Sequence, residues 1–513
     1  MLTRPGWVGS RKTVQALALV AFVGLFVLSR RDGLSGDLAN VPMRLDPLLM
    51  LASTLAARAL MIGSALALAT LLLTLLFGRA WCGWLCPLGT ILDVVPGKQG
   101  RGRRVAVPEG LRKVKYVLFF VIVFAALLGN QTLLFLDPLA IFFRTLTAAV
   151  WPALDQIATA LETFLSQIPG FDGPISSLDS VIRPLIVPAQ PVSYQDAFLL
   201  ASFFVVLVAL NALAPRFWCR YLCPLGGFLG LISRVAIFRR VVTASCSSCG
   251  LCAEDCPTGT IDPASNYASD PAECTVCMKC LATCPIGSVE FKPSLSGAEG
   301  RPYDPSRREL LLSFGAAAAA IALFRSDLFA KRESPFLLRP PGSREANPDV
   351  AALTNCTRCS ECVRVCPTGA IQPAVFQAGL EGLGTPVLVP RLGYCDYSCS
   401  ACGQVCPTEA IPLLSLEDKQ RQVIGKAYID QNRCLAWSDH TPCIVCQEMC
   451  PLPDKAIQLE VQDVWRPDGG TVKLQLPHVV RDLCIGCGIC EYRCPVSGDA
   501  AIRVYVPPLT VPF

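Results

Sequence analysis

The chain has 513 residues, too many for a single hydrophobic core, so several domains are expected. Its 45 Lys and Arg against 40 Asp and Glu leave a net charge of +5, with no basic stripe carrying interleaved aromatics, which sets nucleic-acid binding aside. Only two histidines, His440 and His478, and no Cys-x-x-Cys-His motif exclude c-type haem and a bis-histidine haem in an apolar segment.

The apolar excess lies in the first 215 residues. Runs at about 13–29, 59–77, 116–135 and 197–214 each approach the ~20 residues that a bilayer span needs. The 78–115 stretch carries eight basic residues (Arg79, Lys98, Arg101, Arg103, Arg104, Arg112, Lys113, Lys115) against two acids. The 136–196 stretch carries Arg144 and Arg183 against six acids. This asymmetry predicts a four-helix membrane domain over 1–244, with the N-terminus and the 78–115 loop on the cytoplasmic side.

That domain contains an internal repeat. Leu-Asp-Pro-Leu occurs at 45–48 and 136–139, and Cys-x-x-x-Cys-Pro-Leu-Gly at 82–89 and 219–226. Two parallel copies imply a pseudo-two-fold axis along the membrane normal, with the LDPL segments on the outer face and the CxxxCP segments on the inner face. Symmetry brings Cys82, Cys86, Cys219 and Cys223 together. Such thiols suit a further cluster, a metal or redox chemistry, and the sequence leaves the choice open. Asp46 and Asp137 are candidate proton acceptors on the quinol side, while Asp-Pro also serves simply to start a helix after a turn.

The remaining 24 of the 28 cysteines form six sets. Cys246, Cys249, Cys252 and Cys256 pair with Cys274, Cys277, Cys280 and Cys284 as a two-cluster module over 245–300. The fourth cysteine of each set, followed by Pro, crosses to the other cluster: Cys284 to the first and Cys256 to the second. A second group follows in 331–513. Cys356, Cys359, Cys362, Cys366 and Cys484, Cys487, Cys490, Cys494 keep the regular spacing. Cys395, Cys399, Cys402, Cys406 lengthens the first gap by one residue. Cys434, Cys443, Cys446, Cys450 opens it to eight intervening residues. Which of these four sets cross-ligate is not legible. Tetrahedral iron takes soft thiolates, so the reading is six [4Fe–4S] clusters. Zinc ribbons use separated CxxC pairs, and a disulfide framework would not place cysteines in such quartets.

Between the groups, at 301–330, Ser-Arg-Arg-Glu-Leu-Leu-Leu (306–312) precedes an alanine-rich apolar run at 310–324. It resembles a twin-arginine export signal placed internally, and it would put 331–513 outside the cytoplasm. The expected fold is an α-helical membrane domain, four helices plus a fifth anchor, joined to α+β bacterial-type ferredoxin modules.

The paired CxxxCP motifs with a trailing ferredoxin module resemble the NapH family of quinol dehydrogenase subunits, over roughly 1–295. The twin-arginine stretch, Leu-Leu-Arg-Pro-Pro-Gly at 337–342 and the four later cysteine sets resemble the partner subunit NapG. Together they read as a fusion. NosR-type proteins, methylamine-utilisation ferredoxins and CcoG-type assembly proteins share parts of the pattern. The resemblance implies oxidation of a membrane quinol and delivery of electrons to an extracytoplasmic reductase or cytochrome, in a bacterial inner membrane. Two other readings stand beside it: a relay subunit without its own quinol site, and a metal-handling or assembly factor.

Overall fold

The computed structural model describes residues 6–29, 36–61, 63–95, 109–167, 192–294, 303–326, 337–342, 354–465 and 470–507. Of the basic residues used for orientation, Lys98, Arg101, Arg103, Arg104 and Arg183 lie outside them. The chain forms two compact units. One comprises Met1–Thr145, Leu199–Ser326 and Thr354–Cys359; the other comprises Leu146–Phe198, Asp327–Leu353 and Ser360–Phe513. The division therefore runs differently from the sequence-based boundaries: the 245–300 module and residues 301–326 belong to the first unit.

The first unit is built on α1 (Gly6–Leu28), α2 (Gly36–Arg44), α3 (Pro47–Ala57), α4 (Ser64–Phe77), α5 (Pro87–Val94), α6 (Val114–Leu127) and α7 (Pro138–Thr145). Among the described residues only α1 is long and apolar enough to cross a membrane. The other expected spans shorten into α4, α6 and a helix at Ala197–Ala209, because Gly63 and Gly78 bound α4 and 3-10 turns replace the ends of the other two. The 310–324 run is a longer helix, Arg307–Arg325. It starts in a capping box in which the Ser306 side chain accepts from Glu309 N–H and Glu309 reaches back. Its Ala317 and Ile321 pack on Val121 and Ala125 of α6.

Both repeats fold identically at their motifs. In each LDPL the Asp side chain caps a helix that begins at the following Pro. Asp46 Oδ1 accepts from Leu48 and Leu49 N–H at 2.8 and 3.2 Å, and Asp137 Oδ1 from Leu139 and Ala140 at 2.9 and 3.1 Å. Both aspartates are fully buried, and the Leu45 carbonyl accepts from Thr70, halfway along α4, at 2.7 Å. In each CxxxCP, a single π-turn (Trp81–Leu85, Trp218–Leu222) ends at a cysteine in extended conformation. The N–H of Cys86 and Cys223 donates to Trp81 and Trp218 carbonyls, at 2.9 Å in each case. Isolated π-turns recur at functional sites. The helices that follow, α5 and Pro224–Ser233, carry the motif glycines against the motif itself: a Cβ on Gly89 would stand 2.8 Å from the Cys82 carbonyl oxygen.

The ferredoxin module of this unit pairs Phe238–Val242 antiparallel with Val289–Pro293 around two four- and five-residue helices, Leu251–Glu254 and Lys279–Thr283. The second unit repeats the pattern. Ile371–Pro373 pairs with Pro386–Leu388, Lys426–Ile429 with Ile502–Tyr505, and a longer hairpin joins Ile457–Trp465 to Thr471–Val479.

Candidate metal centres

Each regular cysteine loop carries a left-handed residue on both sides of its second cysteine. These are Ser248 and Gly250, Val276 and Met278, Arg358 and Ser360, and Gly486 and Gly488, with φ between 51 and 85°. A β-branched residue at φ +51°, as at Val276, is a strained backbone that persists only where the surroundings impose it. Such alternation turns successive N–H groups inward as an anion-binding nest. Backbone N–H groups also meet sulfur: Ser288 to Cys284 at 3.3 Å, Ala427 to Cys484 at 3.4 Å and Ile411 to Cys406 at 3.4 Å. Amides aimed at sulfur are what an anionic iron–sulfur cluster requires.

The sulfurs group across the sets. A cavity of about 20 Å³ is lined by Cys246, Cys249, Cys252 and Cys284. Burial, then the charges of neighbouring thiols, push up Cys274, Cys277 and Cys280, and the fourth thiol acting on all three is Cys256. In the second unit Cys366 acts in the same way on Cys395, Cys399 and Cys402. Cys434, Cys443, Cys446 and Cys494 line a cavity of about 30 Å³. Cys450 packs with Cys484 and Cys490 in one buried cluster and acts on Cys487. Pairing thus runs between sets adjacent in sequence, a point the spacing alone left open. One further link joins two pairs: Cys395 N–H donates to the Cys487 carbonyl at 2.8 Å. Among the described residues no group of three or more His, Cys, Asp or Glu side chains closes around a single metal ion.

The first unit also gathers Cys82, Cys86, Cys219 and Cys223. All four are buried, and burial followed by mutual repulsion raises Cys86 and Cys223 well above the usual thiol range. Burial likewise pushes Cys219 up to about 11. Thiols so held give up their protons to solvent when a metal or cluster core takes the sulfur. Two arginines that the motif reading missed hold the centre by exchange between the repeats. Arg79 donates to the Cys219 carbonyl at 3.4 Å, and Arg216 to the Cys82 carbonyl at 3.3 Å. The signal was present: Arg-x-Trp-Cys precedes both motifs, at 79–82 and 216–219. Arg216 is locked bidentate on Asp93 at 2.7 and 2.6 Å, which also takes Arg11 at 2.8 Å. Arg79 lies 3.6 Å from Glu273, which also binds Lys115 and the Tyr116 hydroxyl. Four buried cations (Arg11, Arg79, Lys115, Arg216) thus face two carboxylates (Asp93, Glu273). Buried surplus positive charge is costly unless an anion is near, and a thiolate-ligated cluster is net anionic.

This centre abuts the loop of the second ferredoxin site. Trp84 Nε1 donates to the Val276 carbonyl at 2.9 Å, and a Cβ on Gly83 would overlap the Thr275 carbonyl oxygen. Asp46 and Asp137 come within reach of each other, and the charge of Asp137 reaches Cys86.

Fold and sites define an iron–sulfur protein of ferredoxin type. A family model described as "4Fe-4S binding domain" matches residues 59–104 and 196–243, the two CxxxCP segments, and another of the same description matches 353–372 and 477–497. The chain is 38% identical over 216 residues to the methylamine utilization ferredoxin-type protein MauM of Methylorubrum extorquens, covering 40% of this chain and 90% of that protein. It is 36% identical over 191 residues to the ferredoxin-type protein NapG of Escherichia coli, covering 37% and 79%. A putative electron transport protein of the same bacterium, YccM, is 28% identical over 200 residues, covering 38% and 45%. The chain belongs to the MauM and NapG family of ferredoxin-type proteins. No solved structure matches it.

Proposed function

We propose that the chain is a membrane-bound electron carrier that oxidises quinol and passes electrons through six [4Fe–4S] clusters to an extracytoplasmic reductase or cytochrome. The observation that carries the reading is the grouping of sulfurs, three from one set and the fourth from its neighbour, around loops that turn their amides inward. The first unit holds Cys246, Cys249, Cys252 with Cys284, and Cys274, Cys277, Cys280 with Cys256. By the same rule Cys366 joins Cys395, Cys399, Cys402. Cys494 joins Cys434, Cys443, Cys446, and Cys450 joins Cys484, Cys487, Cys490. When bound, a cubane supplies one-electron storage, which lets a two-electron donor be discharged stepwise.

Cys82, Cys86, Cys219 and Cys223 are the ligands of a seventh centre. Arg79, Arg216 and Lys115 hold it against the ferredoxin loop and keep water out. The NapH-like character of the first 295 residues and the matches to 59–104 and 196–243 support a fusion of the two subunit types. An inner-membrane location, with the N-terminus inside and 331–513 outside, follows from the charge asymmetry and the Arg307-Arg308 stretch.

Anaerobically purified protein in detergent, mixed with a reduced menaquinol analogue, tests this. Reduced-cubane EPR signals that appear only with quinol support the reading. Clusters that dithionite reduces but quinol does not would leave a relay subunit dependent on a partner.

A further inference from the structure

Asp46 and Asp137 occupy equivalent places in the two repeats, and the pseudo-symmetry sets them face to face in the interior of the first unit. Each Oδ1 is consumed by the two backbone N–H groups that it caps. Each Oδ2 is buried and, among the described residues, receives no N–H or O–H. The partner each side chain has is the other carboxyl. Two carboxylates cannot hydrogen-bond to each other without a proton between them, and like charges held together without a donor do not both ionise.

The pair also stands between two redox-bearing groups. On one side Asp137 is within electrostatic reach of Cys86, whose helix α5 packs on α7. On the other, Asp137 acts on Arg144 of its own helix, and Arg144 acts with Arg358 and Cys359. Arg358 is anchored there through the Thr132 hydroxyl at 3.1 Å. Other charged groups near the pair are few. Arg44 lies two residues ahead of Asp46, Lys115 on α6 is engaged by Glu273, Asp93 on α5 by Arg216 and Arg11, and α4 and the 224–233 helix contribute none.

We propose that Asp46 and Asp137 form a buried carboxyl pair that takes up a proton when the Cys82/Cys86/Cys219/Cys223 centre gains an electron and releases it when the electron leaves. The inference rests on the reading of those thiols as a redox centre. The balance is one electron, arriving from the adjacent ferredoxin-type site, and one proton from water, which ends on a carboxylate oxygen of the pair. No bond other than O–H forms or breaks. The pair keeps one proton at rest, and the added negative charge at Cys86 raises its affinity for a second. Burial lifts Asp46 to about 6 and Asp137 well above the usual carboxylate range, so the coupling operates above about pH 6 and vanishes below it.

The test is a potentiometric titration of the full-length, anaerobically purified protein between pH 5 and 8, read by visible and EPR spectra, with the signal assigned by its loss in Cys86→Ser. The reduction equilibrium of that centre is expected to shift tenfold per pH unit above pH 6, which is 59 mV for a one-electron couple, and to level off below. Asp137→Asn and Asp46→Asn each keep the helix cap and leave one carboxyl beside a neutral amide, so either single variant should retain the slope. The double variant Asp46→Asn/Asp137→Asn, with no carboxyl left, should flatten it, with the ferredoxin signals unmoved. Redox-difference infrared spectra should show a carboxylic-acid C=O band that disappears in the double variant. A slope that persists in the double variant, or a wild-type centre independent of pH, overturns the proposal while leaving the redox reading intact. A spectrum in which Cys86→Ser removes nothing overturns both.

Discussion

In the loop from Cys274 to Cys280 one short stretch of backbone delivers three sulfurs and points its own amides at them. The centre of Cys82, Cys86, Cys219 and Cys223 instead takes two sulfurs from each of two segments far apart in the chain. The loop depends on local dihedral angles, with Val276 and Met278 both left-handed. The centre depends on tertiary contacts, with Arg79 and Arg216 exchanged between repeats and each tied to a carboxylate. A local frame tolerates insertions, as the stretched sets at 395 and 434 show. A frame assembled from two distant segments fails when one tie is cut.

The largest effect is therefore expected at those ties. Arg216→Ala leaves Asp93, whose side chain is 15% exposed, with Arg11 and Gln15 alone, and removing one partner of such a pair costs up to about 3–5 kcal/mol, the value for a fully buried one. Denaturant unfolding should show that loss, and iron analysis a deficit of about four irons per chain. An unchanged iron content would mean that the centre is held by its cysteines alone. The same pair sets a pH response. Burial pushes Asp93 up, but the charge and hydrogen bonds of Arg216 outweigh it and hold the carboxyl well below its usual range. Because the folded pKa is depressed, the stabilisation is fully present above about pH 4, the unfolded value, and is lost as pH falls through the lower folded value. Wild-type protein should thus resist acid to below pH 4, and Arg216→Ala should lose that margin.

A smaller effect is expected where the two frames touch. Gly83→Ala drives a methyl into the Thr275 carbonyl, an overpacking of about 1–3 kcal/mol, and should weaken the magnetic interaction between the centre and the neighbouring ferredoxin site in EPR. Gly315→Ala in the 307–325 helix meets nothing within 4 Å and serves as the control, stabilising by up to about 1 kcal/mol. The smallest change belongs to the local frame. Val276→Gly removes a strained left-handed valine at a cost or gain of about 1 kcal/mol and should leave iron content unaltered.

This contrast also explains what could be read from the sequence. The spacing of Cys246 to Cys284 carries its own geometry, so the crossing of Cys256 and Cys284 was legible before any fold was known. For the later sets the crossing rule was legible but the partner was not, because loops such as 407–433 and 451–483 decide which sets meet. The repeat foretold that four CxxxCP thiols converge. It did not reveal Arg79 and Arg216, whose importance lies in the carboxylates they reach, Glu273 and Asp93, far away in the chain. Hydropathy likewise does not show that Thr70 of α4 donates to the Leu45 carbonyl, a contact that ties down the turn before Asp46.

The measurement that bears most directly on the account is iron and acid-labile sulfide per chain in anaerobically purified protein. The cross-ligated quartets predict about 24 irons with matching sulfide, rising to about 28 if the CxxxCP thiols hold a seventh cubane, four of each per site. Zinc in place of iron, or one metal per quartet without sulfide, would contradict it.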